Sequence, residues 1–376
     1  MKKTSVAIVR GAFLNAYEMQ SFEPLVNRYD LTAFGSYTSF QNKFKFPSKI
    51  LYSPLDVPSF PLKMQIFNRL LIDAHYLFGL ENALTGYDLV HSAETYYRYT
   101  QQALDAKKSG KAKKVIATVL ENIPHNNEGI WGRKEYKKRS RNELDHIIAL
   151  THKTKDALVD EGAYAKKITV IGHGIDVTRF IPKPHKKENK NPLVVLFSGR
   201  LEYEKGIEDV LVVARMLAFD DRYRNKLKFQ IIGDGSMSAR VDEVIKELPE
   251  GFIERKHVEY TEMPQVYIES DIVLAPSKPT KTWDEQYCTV LLEAQAMGLP
   301  IVTTRTGGIP ENVGDAAILV KPGDTKAIFE GIRRFVESQS LRLEYGKKAR
   351  SRALRVHDAR LVADRIAEVY EKVLSS

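Results

Sequence analysis

Short apolar runs recur along the whole chain, and between them lie longer stretches with helical periodicity. In the first half the runs are residues 5–9, 89–91, 115–119, 146–150 and 168–171. In the second half they are residues 193–197, 228–232, 272–275 and 301–303. One intervening stretch, residues 206–218, places Ile207, Val210, Leu211, Ala214 and Leu217 at the i, i+3, i+4 spacing of a buried helix face. This alternation calls for parallel sheets wound with crossover helices. Residues 181–192 interrupt it with three prolines and no residue able to support a core, so they read as a linker. A chain of 376 residues is also long for one core. Two doubly wound α/β domains are therefore expected, over residues 1–176 and 193–355, with a linker at 177–192 and a closing segment at 356–376. That segment holds an amphipathic helix at about residues 359–374. Two such sheets facing each other leave a cleft at the carboxyl ends of their strands, where open α/β sheets take ligands.

Composition narrows the class. Hydrophobic residues at 43% and charged residues at 28% are ordinary for a globular chain. After Met1 the first apolar run is cut short by Arg10, so no secretory leader is expected, and no run is long enough for a membrane span. Cys288 is the single cysteine, which suits a reducing compartment, and a cytoplasmic protein is expected. The net charge of +9 is clumped at residues 107–114 and 133–141. Those runs hint at an anionic partner, including peripheral contact with the inner face of a membrane, although a solvated basic face explains each run alone. No zinc-finger spacing or aromatic–basic signature accompanies them, so no nucleic acid is expected. Nine histidines show no paired ligand spacing, and no metal is expected. Residues 62–78 are apolar on one side, and packing against the first sheet is preferred over docking on an anionic leaflet.

Three strings carry chemistry. In Ser198-Gly199-Arg200-Leu201-Glu202-Tyr203-Glu204-Lys205-Gly206 a strand ends, Gly199 relaxes the turn and a helix begins. Arg200 and Lys205 thus stand at a strand's carboxyl end, where a guanidinium fork and an ammonium suit a diphosphate. Ile232-Gly233-Asp234-Gly235 follows the next strand and allows close backbone approach, but it lacks the third glycine of a dinucleotide fingerprint. Glu285 and Glu293 bracket Gln286-Tyr287-Cys288-Thr289-Val290-Leu291-Leu292. If most of that span is helical, the carboxylates lie about 10–12 Å apart, too far for an acid/base pair on one bond but right for two ends of one ligand.

Order and spacing of these strings resemble the retaining family 4 glycosyltransferases of the GT-B fold. The resemblance runs on through Ser270-Asp271-Ile272-Val273-Leu274-Ala275-Pro276-Ser277, Gly298-Leu299-Pro300 and Gly307-Gly308-Ile309-Pro310-Glu311. It implies two Rossmann-like domains across a cleft, with the C-terminal helix returning to the first. It also implies metal-independent transfer of a sugar from a nucleotide diphosphate donor, UDP- or GDP-sugars foremost, which is a co-substrate rather than a cofactor. Arg200 and Lys205 would hold the diphosphate, Glu285 would contact the sugar, and Glu293 would bind the ribose. Gly11, Gly199, Gly233, Gly235, Tyr287, Cys288, Thr289 and Val290 would complete the donor site. The family carries glycines after its first glutamate, where this chain has Gln286, Tyr287 and Cys288.

The acceptor would bind the first domain, as a glycan, a lipid-linked sugar or a small molecule. His91 at a strand end is the first candidate, with a core histidine as the alternative. Glu121 and Asn122, in Leu120-Glu121-Asn122, occupy the neighbourhood where many relatives carry a histidine, and they are the other candidates. Rival functions are an epimerase or phosphorylase on the same fold, and a nucleotide-sugar-binding protein without catalysis.

Overall fold

The computed structural model describes residues 3–39, 44–182 and 192–376. The chain forms two compact units, Met1–Gly174 with Ala359–Ser376, and Ile175–Asp358. In the first unit seven parallel strands run in the order β3-β2-β1-β4-β5-β6-β7. They are β1 (Thr4–Gly11), β2 (Tyr29–Gly35), β3 (Ser48–Ile50), β4 (Tyr87–Ala93), β5 (Ala112–Val119), β6 (His146–Ala149) and β7 (Ile168–Val170). The second unit has six, in the order β10-β9-β8-β11-β12-β13, also parallel. They are β8 (Leu193–Ser198), β9 (Leu227–Ile232), β10 (Ile253–Lys256), β11 (Ile272–Ala275), β12 (Ile301–Thr304) and β13 (Ile318–Val320). Each sheet reverses its strand order once, at β1/β4 and at β8/β11, and such switch points are where doubly wound sheets open for ligands.

The strands read as continuous apolar runs because both faces of each sheet are covered. Val6 and Ile8 pack with Leu89, Ile116 and Ile148 against Val362, Ile366 and Tyr370 of the helix Ala359–Leu374. Ala7 and Val9 point the other way, into a layer with Val90, Val115, Val119 and Leu104. The C-terminal helix therefore completes the first unit, and removing it would expose that face of the sheet. In the second unit the helix Ile207–Ala218 buries Ile207, Val210, Leu211, Ala214 and Leu217, as its spacing predicts.

Four strands lack a legible run. β3, β10 and β13 are edge strands of three or four residues, and β10 reads Ile-Glu-Arg-Lys because an edge is partly solvated. β2 carries an exposed Asp30 between buried neighbours. The expected linker is corrected in part. Val177 and Phe180 are buried in the second unit, where Arg350 donates to the Phe180 carbonyl at 3.1 Å. The chain passes between units at Gly174/Ile175, and Ile175 bridges Asp358 at the other end of the same unit. Residues 183–191 of that linker lie outside the described residues.

The helix Lys63–Leu71 also departs from expectation, since none of its nine residues is buried. Its apolar side chains at Met64, Ile66 and Leu70 stand in solvent with Leu62 before them. The basic runs, in contrast, are largely neutralised from within. Lys107 pairs with Asp145 and Lys113 with Asp88. Arg133 pairs with the fully buried Asp73, and Lys137 and Arg141 both pair with Glu161. No helix among the described residues is long and apolar enough to cross a membrane.

Candidate functional site

The carboxyl edge of the second sheet brings the sequence candidates together. Lys205 lies in a single 3-10 turn, Tyr203–Lys205, between β8 and the helix Ile207–Ala218. Its Nζ donates to Glu285 Oε2 at 2.7 Å, and Ser277 Oγ donates to the same oxygen at 2.8 Å. Glu285 is only 4% exposed, so this partnership satisfies a carboxylate that burial alone would disfavour. The Lys205 ammonium also sits 4.8 Å from the centre of the Trp283 ring. Arg200 stands apart, its side chain 61% exposed and paired with Glu204 at 3.2 Å.

Two glycines make this edge. A Cβ on Gly233 would fall 2.0 Å from the Gly199 carbonyl oxygen, so the turns after β8 and β9 touch backbone to backbone. A Cβ on Gly307, at φ 51°, would fall 1.8 Å from the Glu285 carbonyl oxygen. Gly308 N–H donates to that same oxygen at 2.7 Å, so the Gly-Gly turn holds Glu285 by its main chain. Asp284 adds its own side chain, with Oδ1 accepting from Glu285 N at 2.8 Å and from Thr306 Oγ1 at 2.6 Å.

Beyond Glu285 the chain is not helical until the helix Val290–Ala296, with Thr289 as its cap. The axial separation expected for a mostly helical span therefore does not apply. Within the non-helical part Cys288 takes φ 59°, a left-handed value normally reserved for glycine. Its thiol is buried, and burial raises its pKa. The Asn312 amide holds this segment by donating to the carbonyls of Tyr287 and Cys288, while its own Oδ1 accepts from Gln295. The Tyr287 phenol reaches His357 Nδ1 at 3.4 Å. Glu293 is buried and accepts from the Tyr267 hydroxyl at 2.7 Å. Burial pushes its carboxyl up to about 7, with Tyr267, Tyr260 and Arg179 opposing that rise. Arg179 stacks 4.2 Å from the Tyr260 ring.

The first unit holds one donor-site candidate, Gly11, and the three acceptor-side candidates. Gly11 needs its freedom at φ 55°, where a Cβ would come within 3.3 Å of the Tyr99 ring. His91 is fully buried, and both ring nitrogens are engaged, by the Tyr370 hydroxyl and by Thr118 Oγ1, each at 2.7 Å. Its imidazole thus joins β4, β5 and the C-terminal helix, and burial holds it well below the ordinary histidine range. Glu121 turns back on its own loop, accepting from Ile123 N at 3.0 Å and from Asn126 Nδ2 at 2.7 Å. Asn122 beside it is buried.

Residues 179–352 match the family described as Glycosyl transferases group 1, and residues 38–179 match Glycosyltransferase Family 4. The chain belongs to this glycosyltransferase family. Among curated family members, the glycogen synthase of Mycobacterium tuberculosis is 28% identical over 236 residues, covering 61% of this chain and 54% of that protein. The D-inositol 3-phosphate glycosyltransferase of Geodermatophilus obscurus is 28% identical over 218 residues, covering 53% and 47%. The chain thus spans about half the length of the curated relatives it matches. Among solved structures, the Anabaena protein HepE in complex with UDP and glucose aligns at a TM-score of 0.75 and 18% identity, over 97% of this chain and 99% of that one. The Thermosynechococcus elongatus sucrose-phosphate synthase aligns at 0.76 and 17%, over 99% and 100%. The fold is therefore that of the GT-B glycosyltransferases.

Several side chains around these candidate residues carry no readable signal in the sequence. Ser277, Trp283, Asp284 and Asn312 lie inside or beside the motif strings, but nothing in a string says which side chain turns inward. Tyr267 stands outside them, because only tertiary packing brings it to Glu293, and Arg179 lies in a segment that resembles the family's hinge, where nothing signals its approach to Glu293.

Proposed function

We propose that this chain is a retaining glycosyltransferase that takes a sugar from a nucleotide diphosphate donor, with UDP- and GDP-sugars first, and passes it to a hydroxyl. The observation that carries the reading is the buried Glu285 carboxylate held by Lys205 and Ser277 beside an exposed Arg200. A diphosphate entering this edge competes with Glu285 for the Lys205 ammonium and with Glu204 for the Arg200 fork. Glu285 then has a lone-pair site for a hydroxyl of the transferred sugar, and the two cations stabilise negative charge as the nucleotide diphosphate departs. Neither step calls on a metal, and we propose metal-independent transfer. Glu293 receives the ribose hydroxyls, a role suited to a carboxyl kept dry by Tyr267.

The acceptor is assigned to the carboxyl edge of the first sheet, with Glu121 and Asn122 foremost. Peripheral contact with an anionic membrane is proposed through the exposed helix Lys63–Leu71, where Met64, Ile66 and Leu70 stand in solvent and no residue is buried. The next residue, Ile72, lies against Gly132, so the exposed Trp131 and Lys134 are close by along the chain.

The test is nucleotide release from a panel of UDP-, GDP-, ADP- and CMP-sugars, with and without pooled sugar and lipid acceptors, and NMR of the product's anomeric proton. Acceptor-stimulated release with the donor's anomeric configuration kept is expected. Inversion would remove the retaining mechanism. Release without acceptor and with an altered nucleotide sugar would replace the transferase by an epimerase.

A further inference from the structure

Glu94 is a buried carboxyl with no part in the donor chemistry. It follows β4 directly, at the β1/β4 switch point, and takes a left-handed φ of 57° that its side chain disfavours. Its N–H donates to the Thr118 carbonyl at 2.9 Å, which fixes it beside the end of β5. The side chain is 3% exposed. Oε1 accepts two main-chain N–H groups, from Leu120 at 2.8 Å and from Glu121 at 3.1 Å. Oε2 is fully buried and meets no hydrogen-bond partner among the described residues. An orphaned oxygen on a strained residue costs stability, and it persists where the surrounding structure holds the residue in place. Here the element tied to the residue is plain, since the two amides belong to the strap that carries Glu121 and Asn122.

We propose that Glu94 is a positioning residue, which grips the amides of Leu120 and Glu121 and so sets where the strap presents Glu121 and Asn122 to the acceptor. The proposal rests on the assignment of the acceptor to this edge. The groups facing the carboxyl are Glu121 on the strap, Tyr96 and Tyr97 after β4, Tyr99 in the helix Arg98–Lys108 and Lys137 in the helix Arg133–Glu143. Burial, and then the Glu121 charge, push the carboxyl up to about 8, against the two amides and Lys137. At neutral pH it is protonated, and the proton belongs on Oε2 because Oε1 already receives two N–H groups. Ionisation strengthens the two N–H contacts, which favour the charged carboxylate, and sets a negative charge against the half-buried Glu121, so the Glu121 side chain is driven off its position while its main chain stays held.

The experiment uses the full chain labelled with 15N-leucine, with the Leu120 amide identified by a Leu120→Met variant and followed between about pH 6.5 and 9.5. An inflection near pH 8 that disappears in Glu94→Gln is expected. In kinetics, Glu94→Ala should raise the acceptor KM about tenfold with the donor Kd unchanged, the loss expected when one hydrogen-bonded contact is misplaced. Glu94→Gln retains an oxygen for both amides, so it should recover most of that loss and abolish the alkaline limb of kcat/KM. A Leu120 amide that does not titrate, or equal changes in donor and acceptor terms, would overturn the proposal. If Glu94→Ala does not fold, the amide titration and the Gln variant still decide. Silence of the wild type with every donor would instead remove the transferase reading, while the titration needs no substrate.

Discussion

At the level of single residues the site is a set of charges that satisfy one another until a ligand arrives. Lys205 and Glu285 are partners at 2.7 Å, and each is expected to matter once the donor displaces that contact. On the proposed function, Lys205→Ala and Glu285→Gln should each lower kcat by about a hundredfold, with circular dichroism unchanged, because each would remove a preorganised charge or acceptor at the reacting end of the donor. Wild-type turnover in both variants would sink the assignment. Cys288 offers a cleaner stability test. At φ 59° a glycine pays no Cβ penalty and an alanine does, so Cys288→Gly should be more stable than Cys288→Ala by about 1 kcal/mol in urea unfolding. Both variants lose the same buried thiol, which leaves the backbone term as the difference. Equal stabilities would show that Asn312 and its two carbonyl contacts, rather than the residue type, set this turn.

Among the elements, the helices divide by what they cover. The helix Ile207–Ala218 was legible because its apolar stripe is buried, and the stripe of Lys63–Leu71 misled because the same spacing there faces solvent. Periodicity reports that a face is apolar and is silent about what lies against it. The membrane reading makes this testable. The Met64→Ser/Ile66→Ser/Leu70→Ser variant should lose about tenfold or more in co-sedimentation with phosphatidylserine-rich vesicles, since three apolar side chains leave the interface. Thermal unfolding should change little, because none of the three is buried in the fold. Unchanged vesicle binding would place contact elsewhere, and a large loss of stability would return the helix to the core. The edge strands β3, β10 and β13 were silent for a related reason, as a half-solvated strand of three or four residues has no apolar run to display.

For the whole molecule, buried titratable groups set opposing pH trends. Glu293 and Glu94 keep a proton up to about 7 and about 8, while the unfolded chain releases it near 4.5, so these two groups lower stability as pH rises from 4.5 towards 8. His146 and His357, pushed down to about 4 by burial, and His91, further buried, act in the other direction. They stay neutral in the fold while the unfolded chain binds protons below 6.5, so stability falls as the pH drops from 6.5 towards 4. Asp88, held near 2 by Lys113 and Ser5, adds to the acid side. Thermal stability should therefore peak at about pH 6–7 and decline on both sides, and the double variant Glu94→Gln/Glu293→Gln should flatten the alkaline decline while steepening the rise between about pH 4.5 and 6.5. A decline that persists in that variant would assign it to other groups. These pairs and burials were invisible in the sequence, as was the network of the candidate site: Ser277, Asn312 and Tyr267 lie 8, 24 and 26 residues from Glu285, Cys288 and Glu293, and only the fold of the turns between them brings the side chains together. Local pattern was enough for the parallel α/β class, the two domains, the C-terminal helix and the family, because continuous apolar strands and ordered glycine–charge strings are written in consecutive residues. Packing settled the rest: which polar side chain turns inward, which ion pairs neutralise the basic runs, and which apolar helix is left uncovered. Those outcomes depend on distances between residues far apart in the chain, and no run of neighbours encodes them.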